Sequence, residues 1–228
     1  MNPIIVMAMW GRRELVRKNL EMLDAQVIVA SSLQEDFDFL RSLKVNNLQI
    51  LPTSNRPLGA KWQHAVDAAR LLGADPLIIL GSDDFLSAGF VAKACHLTKD
   101  FDFIYFDKWY IFDTQSRKSY ALDYQMARFG KPPLGSGRIY SKKFLDAHSG
   151  RLFDNGIDSR LDDYAWDQVN HANDQLLMNP DGMAVLAVKG PHEQLNPLSR
   201  ILASDAIKWS ECAIDQYFNF SKPIKEIF

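Results

Sequence analysis

The chain has 228 residues, 47% of them hydrophobic, and is therefore long enough to bury a substantial core as one α/β domain. Its formal net charge of −2 and isoelectric point near 6.2 give no general electrostatic reason to bind duplex nucleic acid or an anionic membrane. No apolar stretch approaches membrane-spanning length, and the N-terminus lacks the pattern of a signal peptide, so we expect a cytoplasmic protein.

The first hundred residues alternate between apolar strands and amphipathic helices. Strands are predicted at 4–9, 26–30, 48–51 and 77–80, and helices at about 13–23, 35–43, 60–72 and 88–97. This alternation is typical of right-handed βαβ crossovers. We therefore expect a mostly parallel sheet with helices on both faces, and a ligand-binding half over about residues 1–100.

The fourth strand ends in two adjacent carboxylates. Leu77–Leu80 is an unbroken apolar run, as a parallel strand covered on both faces requires, and Asp83 and Asp84 follow it. Ligands of open α/β sheets bind beyond the carboxyl ends of the strands, where these acids suit a divalent cation such as Mn²⁺ or Mg²⁺ bridging protein and pyrophosphate. Ser-Asp-Asp before a helix is also typical of a simple turn with capping chemistry, and both interpretations stay open.

The second half of the chain follows a different pattern. Residues 101–112 are aromatic and strand-like, and a turn at 113–116 predicts an antiparallel hairpin with 118–124. Ser141 is predicted to cap a helix at 142–147, residues 155–163 open another helix, and 183–188 form a strand. We expect a smaller antiparallel region over about 101–200, and an amphipathic helical tail over about 198–228 that docks on the domain.

Four segments together resemble a known family. They are Trp10-Gly11-Arg12, the loop from Asn55 to Lys61, Gly81-Ser-Asp-Asp84, and Gly135-Ser-Gly-Arg138. In combination they resemble a family-2-type glycosyltransferase of the GT-A fold, most similar to compact bacteriophage and bacterial versions, over about residues 4–200. The resemblance implies one Rossmann-like GT-A domain and transfer of a sugar, with inversion, from a nucleotide-sugar donor.

The resemblance also implies roles for particular residues on the donor side. Asn55, Gly59, Lys61, Asp83 and Asp84 would hold the donor's nucleotide and metal. We expect Lys61 at an exposed helix start, where its ammonium and free helix N–H groups meet phosphate. Trp10 and Arg12, just after the first strand, are further candidate nucleotide contacts.

The remaining candidates are a metal ligand and a general base. His192 follows a strand where many GT-A enzymes supply a C-terminal metal ligand, but a lone loop histidine is more often simply solvated. Asp162 is the candidate base, followed by Asp163, although an aspartate at a helix start is also a good N-cap. Similar enzymes keep an acid for the nucleobase or ribose after the second strand, whereas this chain has Ser31 and Ser32 there, and this departure leaves the identity of the base open. A uridine diphosphate sugar is the donor that the resemblance itself implies.

Two other functions stay open from the sequence. A nucleotidyltransferase shares the strand-end acids, but it usually carries a longer glycine-rich signature near the N-terminus than Trp10–Arg13. A non-catalytic sugar- or nucleotide-binding module would keep the fold and use the acids structurally. The acceptor is equally open and includes a glycan, a small metabolite, a protein or a modified nucleobase.

Overall fold

The computed structural model describes residues 1–124, 134–169, 174–190, 198–204, 207–218 and 224–228. Its strands are β1 (Ile4–Met9), β2 (Gln26–Ser31), β3 (Leu48–Pro52), β4 (Leu77–Gly81), β5 (Asp84–Leu86), β6 (Phe103–Tyr105), β7 (Lys108–Asp113), β8 (Lys118–Asp123), β9 (Ile139–Tyr140), β10 (Leu176–Met178), β11 (Val185–Lys189) and β12 (Lys208–Glu211). Its helices are α1 (Arg13–Met22), α2 (Gln34–Ser42), α3 (Leu58–Leu71), α4 (Phe90–Leu97), α5 (Lys142–Ala147), α6 (Leu161–Asp167), α7 (Leu198–Leu202) and α8 (Ile224–Ile227). Within these ranges, none of the helices combines the length and the apolar character needed to cross a membrane.

Seven strands form the main sheet, in the order β10-β6-β9-β4-β1-β2-β3. The strands from β4 to β3 are parallel, and so are β6 and β10, whereas β9 runs antiparallel to both of its neighbours. The apolar runs of β1 and β4 are buried along their length. The predicted mostly parallel sheet is confirmed, and it brings the carboxyl ends of β1, β2, β3 and β4 to one edge.

Helices cover both faces of this sheet. One face packs against α1, α2 and α4 through Val16, Leu20, Leu40, Phe90 and Ala94. The opposite face packs against α3 and α5 through Ala65, Val66, Ala69, Phe144 and Leu145. Burial on both faces explains why β1 and β4 show no polar alternation in sequence.

A second sheet has five strands in the order β12-β8-β7-β11-β5. The predicted hairpin is confirmed, because β7 and β8 pair antiparallel from Lys108 opposite Asp123 to Asp113 opposite Lys118. Strand β5 comes directly after β4 and pairs with β11. The expectation that the acids lead straight into a helix at residue 88 is therefore wrong, since Asp84 begins a strand and α4 begins at Phe90.

The predicted helical tail is also wrong in form. Its described residues contain two short helices, α7 and α8, with strand β12 between them, and β12 pairs antiparallel with β8. The unpaired backbone groups at the edge of β8 provide partners that a surface helix would not use. Trp209, one of the apolar residues that favoured a helix, packs edge-on against Tyr120 of β8 instead.

Candidate functional site

The acid pair lies at the edge where β4 ends and β5 begins. Asp83 and Asp84 are both buried, with 7% and 5% of their surfaces exposed. Gly81 makes room for Asp84, since a Cβ on Gly81 would lie 2.2 Å from Asp84 Oδ2. The glycine at the end of the apolar run is therefore required by the close approach of the second carboxylate.

Asp83 is held by two cations from different parts of the chain. Arg12 Nη1 lies 2.7 Å from Asp83 Oδ1, and Lys189 Nζ lies 2.8 Å from Oδ2. Arg12 stands in a left-handed turn (φ 55°) before α1, and Lys189 ends β11. The three groups together carry one net positive charge at the edge where an anionic ligand would bind. In the sequence, Lys189-Gly190 matches a stretch of similar glycosyltransferases only with altered spacing, and no contact or role is predicted for Lys189.

Burial raises the pKa of Asp84 to about 7, and the neighbouring charge of Asp83 contributes further. Lys189, a hydrogen bond from Ser136, and Arg12 oppose this rise in pKa. A carboxyl group that titrates near neutrality is typical of functional sites, where burial and like charges meet.

The side chains at this strand end supply part of the coordination that a divalent cation needs. Among the described residues, no group of three or more His, Cys, Asp or Glu side chains is placed to hold a metal. Mg²⁺ in nucleotide sites usually takes one or two protein carboxylates and completes its coordination with phosphates and water. Asp84 fits such a site as a buried carboxylate crowded by a second negative charge, whereas Asp83 already has two cationic partners. His192 lies outside the described residues.

Lys61 lies in a different environment from the one predicted. It is 2% exposed, and its Nζ donates to the Met9 carbonyl at 2.6 Å and to Asn55 Oδ1 at 3.3 Å. Burial lowers its pKa to about 8. The predicted exposed helix start is wrong, because the α3 position of Lys61 faces the end of β1. Lys61 thereby joins that strand end to the Asn55 loop.

The start of α3 is closed by the chain itself. The backbone N–H groups of Leu58 and Gly59 donate to Asp158 Oδ1 at 2.7 Å and to the Ile157 carbonyl at 2.9 Å. A Cβ on Gly59 would lie 1.8 Å from the Asp154 carbonyl oxygen. The prediction of free N–H groups for phosphate is therefore wrong at these two positions. Gly59 instead admits the 154–158 loop.

The loop after β1 is ordered by an acid that the sequence analysis missed. Asp36, fully buried at the start of α2, accepts from the Gly11 backbone N–H and from Arg13 Nε, both at 2.9 Å. Its position in the first turn of a helix suggests only a charge that favours the helix dipole. Its partners lie more than twenty residues earlier, and no local pattern reveals them.

Trp10 and Ser32 lie near this loop, at the ends of β1 and β2. Trp10 is 62% exposed. The Ser32 hydroxyl, just after β2, is buried and has no hydrogen-bond partner within the described part of the chain. Both flank the edge where the resemblance places the nucleotide.

On the opposite side, Asp162 occupies the first turn of α6. The N-cap position is Arg160 in a left-handed conformation (φ 58°), so the alternative that Asp162 caps this helix is wrong. The Asp162 carboxylate lies over Gly135, where a Cβ would come within 1.9 Å of Oδ1. Its side chain is 47% exposed, and partial burial raises its pKa against the opposing charge of Arg138. Asp163 pairs instead with Arg160 at 3.6 Å.

Ser136 connects the two acidic groups. Its hydroxyl accepts from the Gly81 backbone N–H at 2.8 Å and donates to the Asp84 carboxylate. Gly135, the residue before it, contacts Asp162. Because consecutive Cα atoms are about 3.8 Å apart, the structure brings Asp162 into the neighbourhood of the acid pair. The sequence pointed to the Gly135–Arg138 segment as part of the family resemblance, and the contacts of Ser136 and Arg138 were missed.

Comparison with known proteins supports the fold. No family model and no curated protein matches the chain. Residues 1–349 of S. aureus TarS in complex with UDP-GlcNAc match 87% of this chain, with a TM-score of 0.58 and 14% identity. A second structure of TarS 1–349 matches 82%, with a TM-score of 0.56 and 12% identity, and a longer TarS chain matches 83%, at 0.57 and 14%.

This chain spans 61%, 60% and 37% of the three TarS chains. At these identities the likeness shows the architecture alone, which is the GT-A fold. The predicted fold class is thereby confirmed.

Proposed function

We propose that this protein is a glycosyltransferase that moves a sugar from a nucleotide-sugar donor to an acceptor hydroxyl. The observation that carries the proposal is the buried acid pair at the end of β4, flanked by Arg12 and Lys189 and approached by Asp162. Glycosyl transfer needs a group that accepts the hydroxyl proton and positive charge that stabilises the departing diphosphate. This site has residues suited to both tasks.

For the donor, we propose a uridine diphosphate sugar bound at the carboxyl ends of β1, β2 and β4. Trp10 would face the nucleoside with its exposed ring, and the buried, unpartnered Ser32 hydroxyl would bond to the nucleoside once a local movement exposes it. Arg12 and Lys189, held by Asp83, would contact the diphosphate. Lys61 would act through the loop that it holds, since its ammonium is already bonded to Met9 and Asn55.

A divalent cation, Mn²⁺ or Mg²⁺, is part of the proposal. Asp84 would hold it, and the cation would supply further positive charge to the leaving diphosphate. Asp83 would mainly hold Arg12 and Lys189 in place.

In the proposed reaction, Asp162 accepts the proton of the acceptor hydroxyl. The hydroxyl oxygen bonds to the anomeric carbon as the bond from that carbon to the diphosphate oxygen breaks, and the electron pair of that bond stays with the diphosphate. A single displacement of this kind inverts the anomeric carbon. Arg12 and Lys189 offset the charge that develops on the leaving group. We propose the acceptor as a glycan, a small metabolite, a protein or a modified nucleobase, and the location as cytoplasmic.

Asp162→Asn tests this proposal. The variant should fold and bind UDP with Mn²⁺ as the parent does, but its turnover should fall roughly 10²–10⁴-fold, the usual contribution of a general base. Turnover is measured as UDP release from a panel of nucleotide sugars in the presence of candidate acceptors. Full activity of the variant would remove Asp162 from the proposal.

The alternative functions give different products. Release of pyrophosphate from a nucleoside triphosphate and a sugar phosphate would show a nucleotidyltransferase. Saturable binding of UDP-sugars without turnover by the parent, over the whole panel, would show a binding module.

A further inference from the structure

The segment from Leu134 to Arg138 contacts both acidic groups of the site. Gly135 lies against Asp162, and Ser136 bonds to Gly81 and Asp84. The segment is itself fixed to β4, because Gly137 N donates to the Ile79 carbonyl at 2.7 Å and Ile79 N donates to the Arg138 carbonyl at 2.9 Å. Strand β4, which ends at the acid pair, thus also holds the segment against which Asp162 packs.

Arg138 is the most unusual residue of this segment. Its side chain is 1% exposed, which is rare for a group that keeps its positive charge in proteins. Nε donates to the Leu134 carbonyl at 2.9 Å, and Nη1 donates to the Asp162 carbonyl at 3.1 Å. The planar guanidinium therefore ties the start of the segment to the first turn of α6. Its Nη2 lies 3.9 Å from the Asp162 carboxylate.

We propose that Arg138 is a positioning residue, which holds the first turn of α6 beside the acid pair through the Asp162 backbone carbonyl and keeps the Asp162 carboxylate ionised for proton transfer. This inference rests on the proposed function of Asp162. A buried charge is expensive without a compensating partner, and the guanidinium and the carboxylate offset each other here. Without this cation, burial would raise the pKa of the Asp162 carboxyl and favour its protonated form.

Among the described residues, several charged and polar groups shift the protonation equilibrium of the Asp162 carboxyl. Arg138 favours the ionised carboxylate, as does a hydrogen bond from the Gly135 backbone, whereas Asp163 on the same helix favours the protonated form. The buried Tyr140 phenol is also close enough to interact with Asp162. Arg138 is the cation in this set, and its removal should have the clearest effect.

The test compares Arg138→Gln, Arg138→Lys and the parent across pH. A general base works when it is ionised, so activity rises with pH through its pKa. In Arg138→Gln the acidic limb of kcat/KM should move to higher pH, with a loss of about tenfold at low pH for each pKa unit and recovery at high pH. Arg138→Lys, which keeps the charge, should lie between the two. Arg151→Gln, at an exposed arginine, is the matched control and should keep the parent profile.

A structural role for Arg138 would give a different result. A loss of kcat/KM by the same factor at every pH, with an unmoved acidic limb, would overturn the proposal. A ¹³C-carboxyl NMR titration of Asp162 without donor or acceptor gives an answer that does not depend on turnover. The Asp162 titration midpoint should rise in Arg138→Gln, and an unchanged midpoint would overturn the inference even if the enzyme proves to be a glycosyltransferase.

A second comparison covers the case in which Arg138→Gln does not fold. The comparison is then made between Arg138→Lys and the parent, where a smaller rise of the Asp162 midpoint is expected and an identical midpoint would overturn the proposal. If the parent shows no transferase activity but the midpoint shifts as expected, the contact between Arg138 and Asp162 stands and the proposed function fails.

Discussion

At the scale of single residues, the burial of Asp84 beside a second carboxylate lowers the free energy of unfolding. Two adjacent carboxylates are buried at one strand end, and the first of them takes both neighbouring cations. Burial and the charge of Asp83 both oppose ionisation of Asp84. Such an arrangement is retained in proteins where a ligand or a reaction uses the carboxylate, since an uncharged side chain would be more stable there.

Asp84→Asn should therefore make the protein more stable and less functional. In the presence of a chelator at pH 8, its Tm should rise by at least roughly 2–4 °C, which corresponds to about 1 kcal/mol in a chain of this size. Mn²⁺ should no longer strengthen UDP binding, as measured by calorimetric titration. Asp83→Asn is the matched control and should lower the Tm, because it removes the negative charge that pairs with Arg12 and with Lys189. Equal Tm values for the two variants would contradict this assignment.

Lys61 gives a second prediction at the same scale. Its ammonium is buried and its pKa is lowered to about 8, so the folded protein binds fewer protons than the unfolded chain between pH 8 and 10.5. The contribution of Lys61 to the free energy of unfolding therefore rises as pH increases through that window. Lys61→Met, which preserves the volume of the side chain, should remove this rise and leave the protein folded.

The same variant tests the role of Lys61 in the donor loop. Without the bonds to Met9 and Asn55, the loop should be less ordered and the Kd for UDP should increase. The measurement is urea unfolding from pH 7 to 10, together with UDP titration. An unchanged Kd in a folded Lys61→Met protein would make the lysine a purely structural residue.

At the scale of elements, the sequence predicted the features that depend on neighbouring residues, such as helix caps and tight turns. Ser141 caps α5 as expected, with its hydroxyl accepting from the Phe144 N–H. The Asp113 carboxylate closes the hairpin turn by accepting from the backbone N–H groups of Gln115 and Ser116. Strand β12 was missed because its partner, β8, lies about ninety residues earlier and its own apolar spacing resembles a helix.

Gly59→Ala should show that a tertiary contact overrides helix propensity. Alanine at a helix position is normally more stable than glycine by about 1 kcal/mol. Here the added Cβ would lie 1.8 Å from the Asp154 carbonyl oxygen, so the loop at 154–158 must move. We expect a loss of about 1–3 kcal/mol in the free energy of unfolding, together with weaker UDP binding.

Gly156→Ala provides the matched control in the same loop. An added Cβ there would lie 3.4 Å from Asp154 Oδ1, an ordinary contact. This variant should unfold at nearly the parent urea concentration. A stabilised Gly59→Ala protein would contradict the close packing between α3 and the loop.

At the scale of the whole molecule, the candidate site lies where the two sheets meet. The acid pair stands between β4 of the first sheet and β5 of the second, and Lys189 reaches it from β11. The sequence predicted the acids and the edge of the sheet, because strand ends and apolar runs are local features. It did not reveal that Lys189 pairs with Asp83 or that Arg138 contacts Asp162, since each pairing depends on how distant segments pack.

Lys189→Met should test whether this junction of the sheets binds the donor. Lys189 is 13% exposed at its side chain and bonds to Asp83, so its ammonium is fixed beside the place proposed for the diphosphate. Loss of a charge-assisted contact costs about 1.5–3 kcal/mol, or roughly a tenfold to hundredfold increase in the Kd for UDP. The increase should be larger at low salt than at high salt, because part of the attraction is long-range. Lys189→Arg retains the charge and should keep most of the affinity. A Kd that is unchanged in Lys189→Met at both salt concentrations would remove the second sheet from the donor site and leave Arg12 as the cation at the acid pair to be tested next.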